Sequence, residues 1–246
     1  MRLILVSAVG LALFLWPFFG WGATAADGPA FALALACALG LLAIELGTRE
    51  LDARRLALLA ALAAIDAGLR MALVTGIGGF SPIFFLVLCA GWVFGPSYGF
   101  LVGSFSLLVS ALATGGIGPW VPYQVFAVGW VGAVAGLAGR FRQPRFGWRD
   151  ALVLAAVGAI MGWVFGALMD IQVWVNGFRG SDAGWTPGAP VAVSLVHFWR
   201  FYVLTSLAYD TFRAAGSAAM VVLLGAPVVA ALERVRMRFT AEILPA

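Results

Sequence analysis

Five ionisable side chains, Asp66, Arg70, Asp170, Asp210 and Arg213, lie within or at the edges of long apolar runs. Charge in such surroundings is costly, and it is kept where it pairs with an opposite charge, meets a ligand or relays a proton. Asp66 and Arg70 are four residues apart, so a helix puts them on one face. There they either neutralise each other or leave Asp66 to orient Arg70 toward a ligand. Asp210 and Arg213 are three apart, which suits a carboxylate in a first helical turn with a local ion pair, and equally a ligand contact. Asp170 extends the series Gly158, Gly162, Gly166 by one more step of four, placing its carboxylate at the end of a seam that another helix can approach closely.

A second group of candidates lies in Thr114-Gly-Gly-Ile-Gly-Pro-Trp-Val-Pro-Tyr-Gln124. Its glycines permit tight turns, while Trp120, Tyr123 and Gln124 offer flat apolar faces with hydroxyl and amide groups. Such residues either anchor a membrane boundary or line a concave site for a bulky, partly aromatic solute. Trp174, Asn176, Trp185, His197, Trp199 and Tyr202 on a later connection are placed to close over the same site. No nucleophile-base-acid set accompanies them, because Ser104, Ser106 and Ser110 share one apolar run without a histidine. The single histidine, His197, is a poor start for a metal site, and Cys37 and Cys89 read as reduced packing residues.

These side chains must be positioned by membrane-spanning helices. The chain is 63% hydrophobic and 11% charged, with a mean hydropathy of +1.02, beyond what one soluble core can bury. It has no lysine, and eleven of its fifteen basic residues, all arginine, fall in four clusters: Arg2; Arg49, Arg54 and Arg55; Arg140, Arg142, Arg145 and Arg149; Arg234, Arg236 and Arg238. Basic clusters between apolar runs mark the cytoplasmic side rather than a nucleic-acid surface, so no nucleic-acid partner is expected.

Apolar runs of ~17–25 residues predict eight spans, at about 3–22, 30–46, 55–74, 80–95, 98–114, 122–139, 151–173 and 211–232. Both termini then fall in the cytoplasm of a multi-pass protein of the cell membrane. The run Leu3 to Trp21 exceeds the ~7–15 apolar residues of a signal-peptide core, so a retained span is expected. Residues 191–210 read as an interfacial or extracellular helix leading into the last span, because a ninth span would carry the C-terminal arginines outside. The expected outer connections are 22–29, 76–79, 115–121 and 174–210.

Small residues recur at packing distance. Gly132 and Gly136 form one ridge, and the third span carries Ala57, Ala60, Ala61, Ala63, Ala64, Ala67 and Gly68, whose overlapping pairs suit close helix contact, including contact with a partner helix. Phosphate-binding loops of the Walker type are absent, so ATP-driven work would need another polypeptide.

From about Arg55 to Arg238 the chain resembles the substrate-binding S components of energy-coupling-factor (ECF) vitamin transporters, particularly the group related to cobalamin transporters. The residues that carry the resemblance are 56–70, Gly115-Gly-Ile-Gly-Pro-Trp-Val-Pro-Tyr-Gln-Val-Phe126 and Thr205-Ser-Leu-Ala-Tyr-Asp-Thr-Phe-Arg-Ala-Ala-Gly216. The resemblance implies an all-α polytopic membrane bundle whose six-helix S-component core, at about 55–236, is preceded by two extra N-terminal transmembrane helices. The corresponding division is 1–50 and 51–246. It further implies capture of a vitamin or related micronutrient, with a lean toward cobalamin, through Arg70, Trp120, Tyr123, Gln124, Asp170, Tyr209, Asp210 and Arg213. The family's contact with its membrane T component would fall on Ala57, Ala60, Ala61 and Ala64. Two cytoplasmic ATPases, which use the ATP, complete the expected assembly, and this chain is expected to carry no cofactor or metal of its own. The competing reading is a membrane enzyme acting on a lipid or isoprenoid at the outer face, with Asp170 or Asp210 as acid or base; a structural assembly factor is a third.

Overall fold

The computed structural model describes residues 2–19, 36–37, 39–40, 43–44, 52–72, 82–118, 120–178 and 181–241. Among them the chain forms helices and no strand. Eight helices follow in order: α1 (Arg2–Leu15), α2 (Ala53–Ala72), α3 (Ile83–Phe94), α4 (Pro96–Thr114), α5 (Val121–Ala138), α6 (Trp148–Gly177), α7 (Val191–Thr205) and α8 (Leu207–Ala241). Short 3-10 turns follow α1 at Trp16–Phe18 and α5 at Gly139–Phe141. The expected second span, 30–46, lies outside the described residues apart from six positions, all helical. The expected connections at 22–29 and 76–79 also lie outside them.

The helix α3 reads Ile-Phe-Phe-Leu-Val-Leu-Cys-Ala-Gly-Trp-Val-Phe, with no polar face, and a helix apolar all round belongs inside a bundle. Eleven of its twelve residues are buried, Cys89 among them, against α2, α4, α5 and α8. Its close neighbours are set by glycine. A Cβ on Gly91 or Gly99 would strike the Gly132 backbone, and one on Gly132 would strike Gly99, so α3, α4 and α5 cross with their backbones in contact. Gly136 likewise sits on the Gly95-Pro96 turn.

Four segments, Pro96–Thr114, Val121–Phe141, Trp148–Gly177 and Leu207–Phe239, are long and apolar enough to cross a membrane. The outermost, α6 and α8, pair with each other and turn Leu152, Ile160 and Trp163, and Phe212, Leu223 and Leu224, outward. Side chains of that kind are what a helix presents to lipid. The architecture is an all-α polytopic membrane bundle.

The N-terminal helix is shorter than the expected 3–22: it ends at Leu15, and a 3-10 turn, Trp16–Phe18, with Pro17 as its second residue, follows. It nevertheless packs as part of the core. Phe14 meets Tyr123 edge-on at 5.2 Å and Trp130 at 5.7 Å, and the Trp130 indole N–H donates to Ser7 Oγ at 3.0 Å. Residues 191–210 form α7, a break at Ser206, and the start of α8.

Candidate functional site

The series Gly158, Gly162, Gly166, Asp170 lies along one face of α6, and α8 runs antiparallel against it. Gly158 faces Ser217, Gly162 faces Ala214, and Gly166 faces the Asp210 carboxylate. Asp170, one step further, faces Ser206 at the α7–α8 break. A four-residue step on α6 thus meets a three- to four-residue step on α8, and the pairing delivers two carboxylates to one end of the seam. Any side chain at Gly166 would overlap the Asp210 carboxylate, so the glycine is what admits the acid.

Asp210 is 1% exposed and ion-paired through Oδ1 with Arg213. The guanidinium is covered by Phe165 and Tyr209, whose ring centroids lie 5.3 and 5.1 Å away, in cation–π geometry. Asp170 Oδ2 and Asp210 Oδ2 are buried and have no hydrogen-bond partner among the described residues. The Tyr202 phenol lies beside both carboxylates. Burial, reinforced by the charges of Asp210 and Asp170, pushes it up to about 12, so it remains a neutral hydroxyl at physiological pH. Arg213 and the Tyr202 and Ser206 hydroxyls stand beside the two carboxylates, and the two Oδ2 atoms keep acceptor capacity for a ligand bearing hydrogen-bond donors.

Arg70 belongs to a different cluster. Its guanidinium donates to Ser110 Oγ of α4 at 2.6 Å, and Ser110 in turn donates to the Leu107 carbonyl. Asp66 is fully buried near Arg70 and Ser106, yet neither of its oxygens nor Ser106 Oγ has a hydrogen-bond partner among the described residues. Arg70 is therefore directed toward α4, with Asp66 behind it as a charge neighbour rather than a hydrogen-bonded mate. No hydrogen bond or ion pair among the described residues joins this cluster to Asp210 and Arg213.

The glycine-aromatic loop is folded on itself. Gly115 adopts φ +65, and the N–H groups of Gly116 and Gly115 reach the Ala111 and Leu112 carbonyls, a Schellman ending for α4. Trp120, 45% exposed, donates to the Gly116 carbonyl at 3.3 Å, and Gln124 is half-buried one turn later. Tyr123 is buried against Phe14 and so faces the N-terminal helix. On the other connection, Trp174 donates to the Ala183 carbonyl at 2.7 Å and Trp185 to that of Pro17 at 3.1 Å, which turns both indoles into packing. His197 Nδ1 lies 2.9 Å from the Gly184 carbonyl, Asn176 donates to Gln172, and Trp199 is exposed.

Of the residues expected to bind substrate, the structure gathers Asp170, Tyr209, Asp210 and Arg213 in one place. Arg70 stands on α2 and α4, and Trp120, Tyr123 and Gln124 begin α5. Ser110, Ser206 and Phe165 join these sites without having been expected there. Ser106 and Ser110 share the four-residue spacing of Asp66 and Arg70, a sign that two helices present matching polar faces.

The four alanines of α2 expected to meet the T component, Ala57, Ala60, Ala61 and Ala64, all lie on its exposed side, together with Ile65 and Gly68. The face that packs inward carries Leu59, Leu62, Ala63, Asp66 and Ala67 instead.

A family model described as "ECF transporter, substrate-specific component" matches residues 54–225, well over half of the chain. The chain belongs to this family, whose members are membrane substrate-binding subunits of ECF transporters and not enzymes, and which work with a T component and ATPases. No curated protein matches, and no solved structure does.

Proposed function

We propose that this chain captures a vitamin or related micronutrient at the outer face and hands it to an ATP-driven assembly of one T component and two cytoplasmic ATPases. Both termini are cytoplasmic in this reading, residues 51–246 form the six-helix S-component core, and residues 1–50 add two further transmembrane helices. The observation that carries the proposal is the α6–α8 seam. It brings Asp170, Asp210, Arg213 and Tyr209 together at the end of the bundle opposite the arginine clusters, with two carboxylate oxygens still unpartnered. A ligand rich in N–H or O–H donors completes such a site, whereas a simple anion meets two carboxylates and one already paired guanidinium.

Among vitamin-type solutes the reading leans to cobalamin. The resemblance over residues 115–126 and 205–216 supports that choice, and so does cobalamin's rim of amide donors. Arg70, Trp120 and Gln124 are proposed as further substrate contacts from α2 and the start of α5, with Tyr123, packed on Phe14, supporting them from behind, and the exposed alanine face of α2 is the proposed seat of the T component. Purified chain, free of partners, should show a rise in melting temperature with cobalamin or another member of a vitamin panel. Asp210→Asn should lower the affinity at least tenfold. A panel without any such rise speaks against the reading.

A further inference from the structure

At the end of the bundle opposite Asp210, a cavity of about 1680 Å³ opens between α1, the α3–α4 turn and α5. Its lining has two parts. Arg2, Arg55, Arg140, Arg142 and Arg236 line it, and no Asp or Glu is among the described residues that do, although Glu233 joins Arg142 and Arg236 in the adjoining groove. Away from these arginines the wall is apolar, formed by Ile4, Leu11, Leu101, Val134 and Leu137. Ile4, Leu11 and Leu137 are also exposed, at 71%, 47% and 44%. From Arg2 to Leu11 the α1 axis advances about 14 Å, so the apolar wall runs a good part of one membrane leaflet.

Membrane topology alone asks only that arginines lie on the cytoplasmic side. It does not ask that the N-terminus, the first turn of α2, the turn after α5 and the end of α8 bring their arginines to a single cavity. Arg142 is also held in place, since one of its nitrogens donates to the carbonyls of Trp92 at 2.9 Å and Val93 at 3.3 Å. Its half-buried guanidinium is fixed at the mouth before any ligand arrives.

We propose that this cavity seats an anionic phospholipid of the cytoplasmic leaflet, with its phosphate among the five arginines and its acyl chains along α1, α4 and α5. Guanidinium groups match phosphate oxygens in charge and in donor geometry, and basic pockets on the cytoplasmic side of membrane helices take such headgroups. A free phosphate or glycerol phosphate would use the arginines but leave the apolar wall empty. A zwitterionic lipid would fill the wall but bring a further cation to an arginine-lined mouth. The cavity also exceeds the ~300–1,000 Å³ of ordinary small-solute pockets. The lipid would tie the N-terminal helix to the core at the end opposite the substrate site.

The test is native mass spectrometry of the purified full chain in detergent, titrated with phosphatidylglycerol or phosphatidylcholine. The expected result is at least tenfold preferential retention of phosphatidylglycerol. The Arg2→Gln/Arg140→Gln double variant should reduce that retention at least tenfold, while Arg140→Lys stays near the parent chain. The unaltered protein supplies an arm that needs no variant. Added salt should weaken retention of phosphatidylglycerol and leave phosphatidylcholine unchanged, because exposed charge pairs are screened. Equal retention of the two lipids, retention indifferent to salt, or displacement of the lipid by glycerol phosphate at equal concentration would overturn the proposal.

Discussion

The Asp210 carboxylate occupies the space beside Gly166 that the Cβ of any larger residue would enter. Packing of α6 on α8 and placement of the acid are therefore one event. Gly166→Val forces either the helices apart or Asp210 away from Arg213. Overpacking of this kind costs about 1–3 kcal/mol. We expect a lower melting temperature together with at least a tenfold loss of ligand affinity. Gly177→Ala, whose new Cβ meets nothing within 4 Å, should change neither.

The ion pair of Asp210 and Arg213 predicts a non-additive pair of substitutions. Removing one partner strands the other charge in a buried place, which costs about 3–5 kcal/mol. Asp210→Asn and Arg213→Gln should each destabilise the purified protein, and the double variant should cost clearly less than their sum. Additive losses in melting experiments would show that the two side chains act separately.

At the other cluster, Arg70 is held by Ser110 while Asp66 has no hydrogen-bond partner among the described residues. Ser110→Ala should cost about 1.5–3 kcal/mol, the value of a hydrogen bond to a charged group. Arg70→Gln leaves the fully buried Asp66 without its cation, and Asp66→Asn in the same chain should restore part of the lost melting temperature. Failure of that rescue would mean that Asp66 is balanced by something other than Arg70.

The exposed alanines of α2 predict a separation of binding from transport. Bulky replacements, Ala60→Trp or Ala64→Trp, fall on the outward face and should abolish uptake by the assembled transporter. Ligand binding to the isolated chain should stay within twofold of the parent. Loss of binding itself would remove α2 as the partner face.

Phe14 is 1% exposed between Tyr123 and Trp130. Phe14→Ala should cost about 3–5 kcal/mol, the loss expected of a buried aromatic. A thermal melt indistinguishable from the parent would mean that the N-terminal helix only rests on the bundle.

Much of this arrangement follows from local spacing. Residues four apart share a helix face, so Gly158, Gly162, Gly166 and Asp170 announced a seam that ends in a carboxylate, and the arginine clusters marked one end of the bundle. What spacing cannot convey is the identity of the partner across a gap. Ser110 lies forty positions from Arg70, and Phe14 more than a hundred from Tyr123, so neither contact leaves a local trace. The same limit explains why Trp174 and Trp185 read as closing over an outer site: their indole N–H groups bond carbonyls of chain segments that only the fold brings near. The helix α3 gave an apolar run without periodicity, which locates a buried element but says nothing of its neighbours.

The central claim is that the isolated chain binds a vitamin-type solute through the α6–α8 site and does no chemistry on it. Mass spectrometry of the solute released from protein purified alone tests this most directly, with the parent chain compared with Arg213→Gln. The account predicts that one vitamin-type molecule co-purifies chemically unchanged with the parent and is depleted at least tenfold in the variant. A molecule released as a converted product, or one retained equally by both proteins, would contradict it.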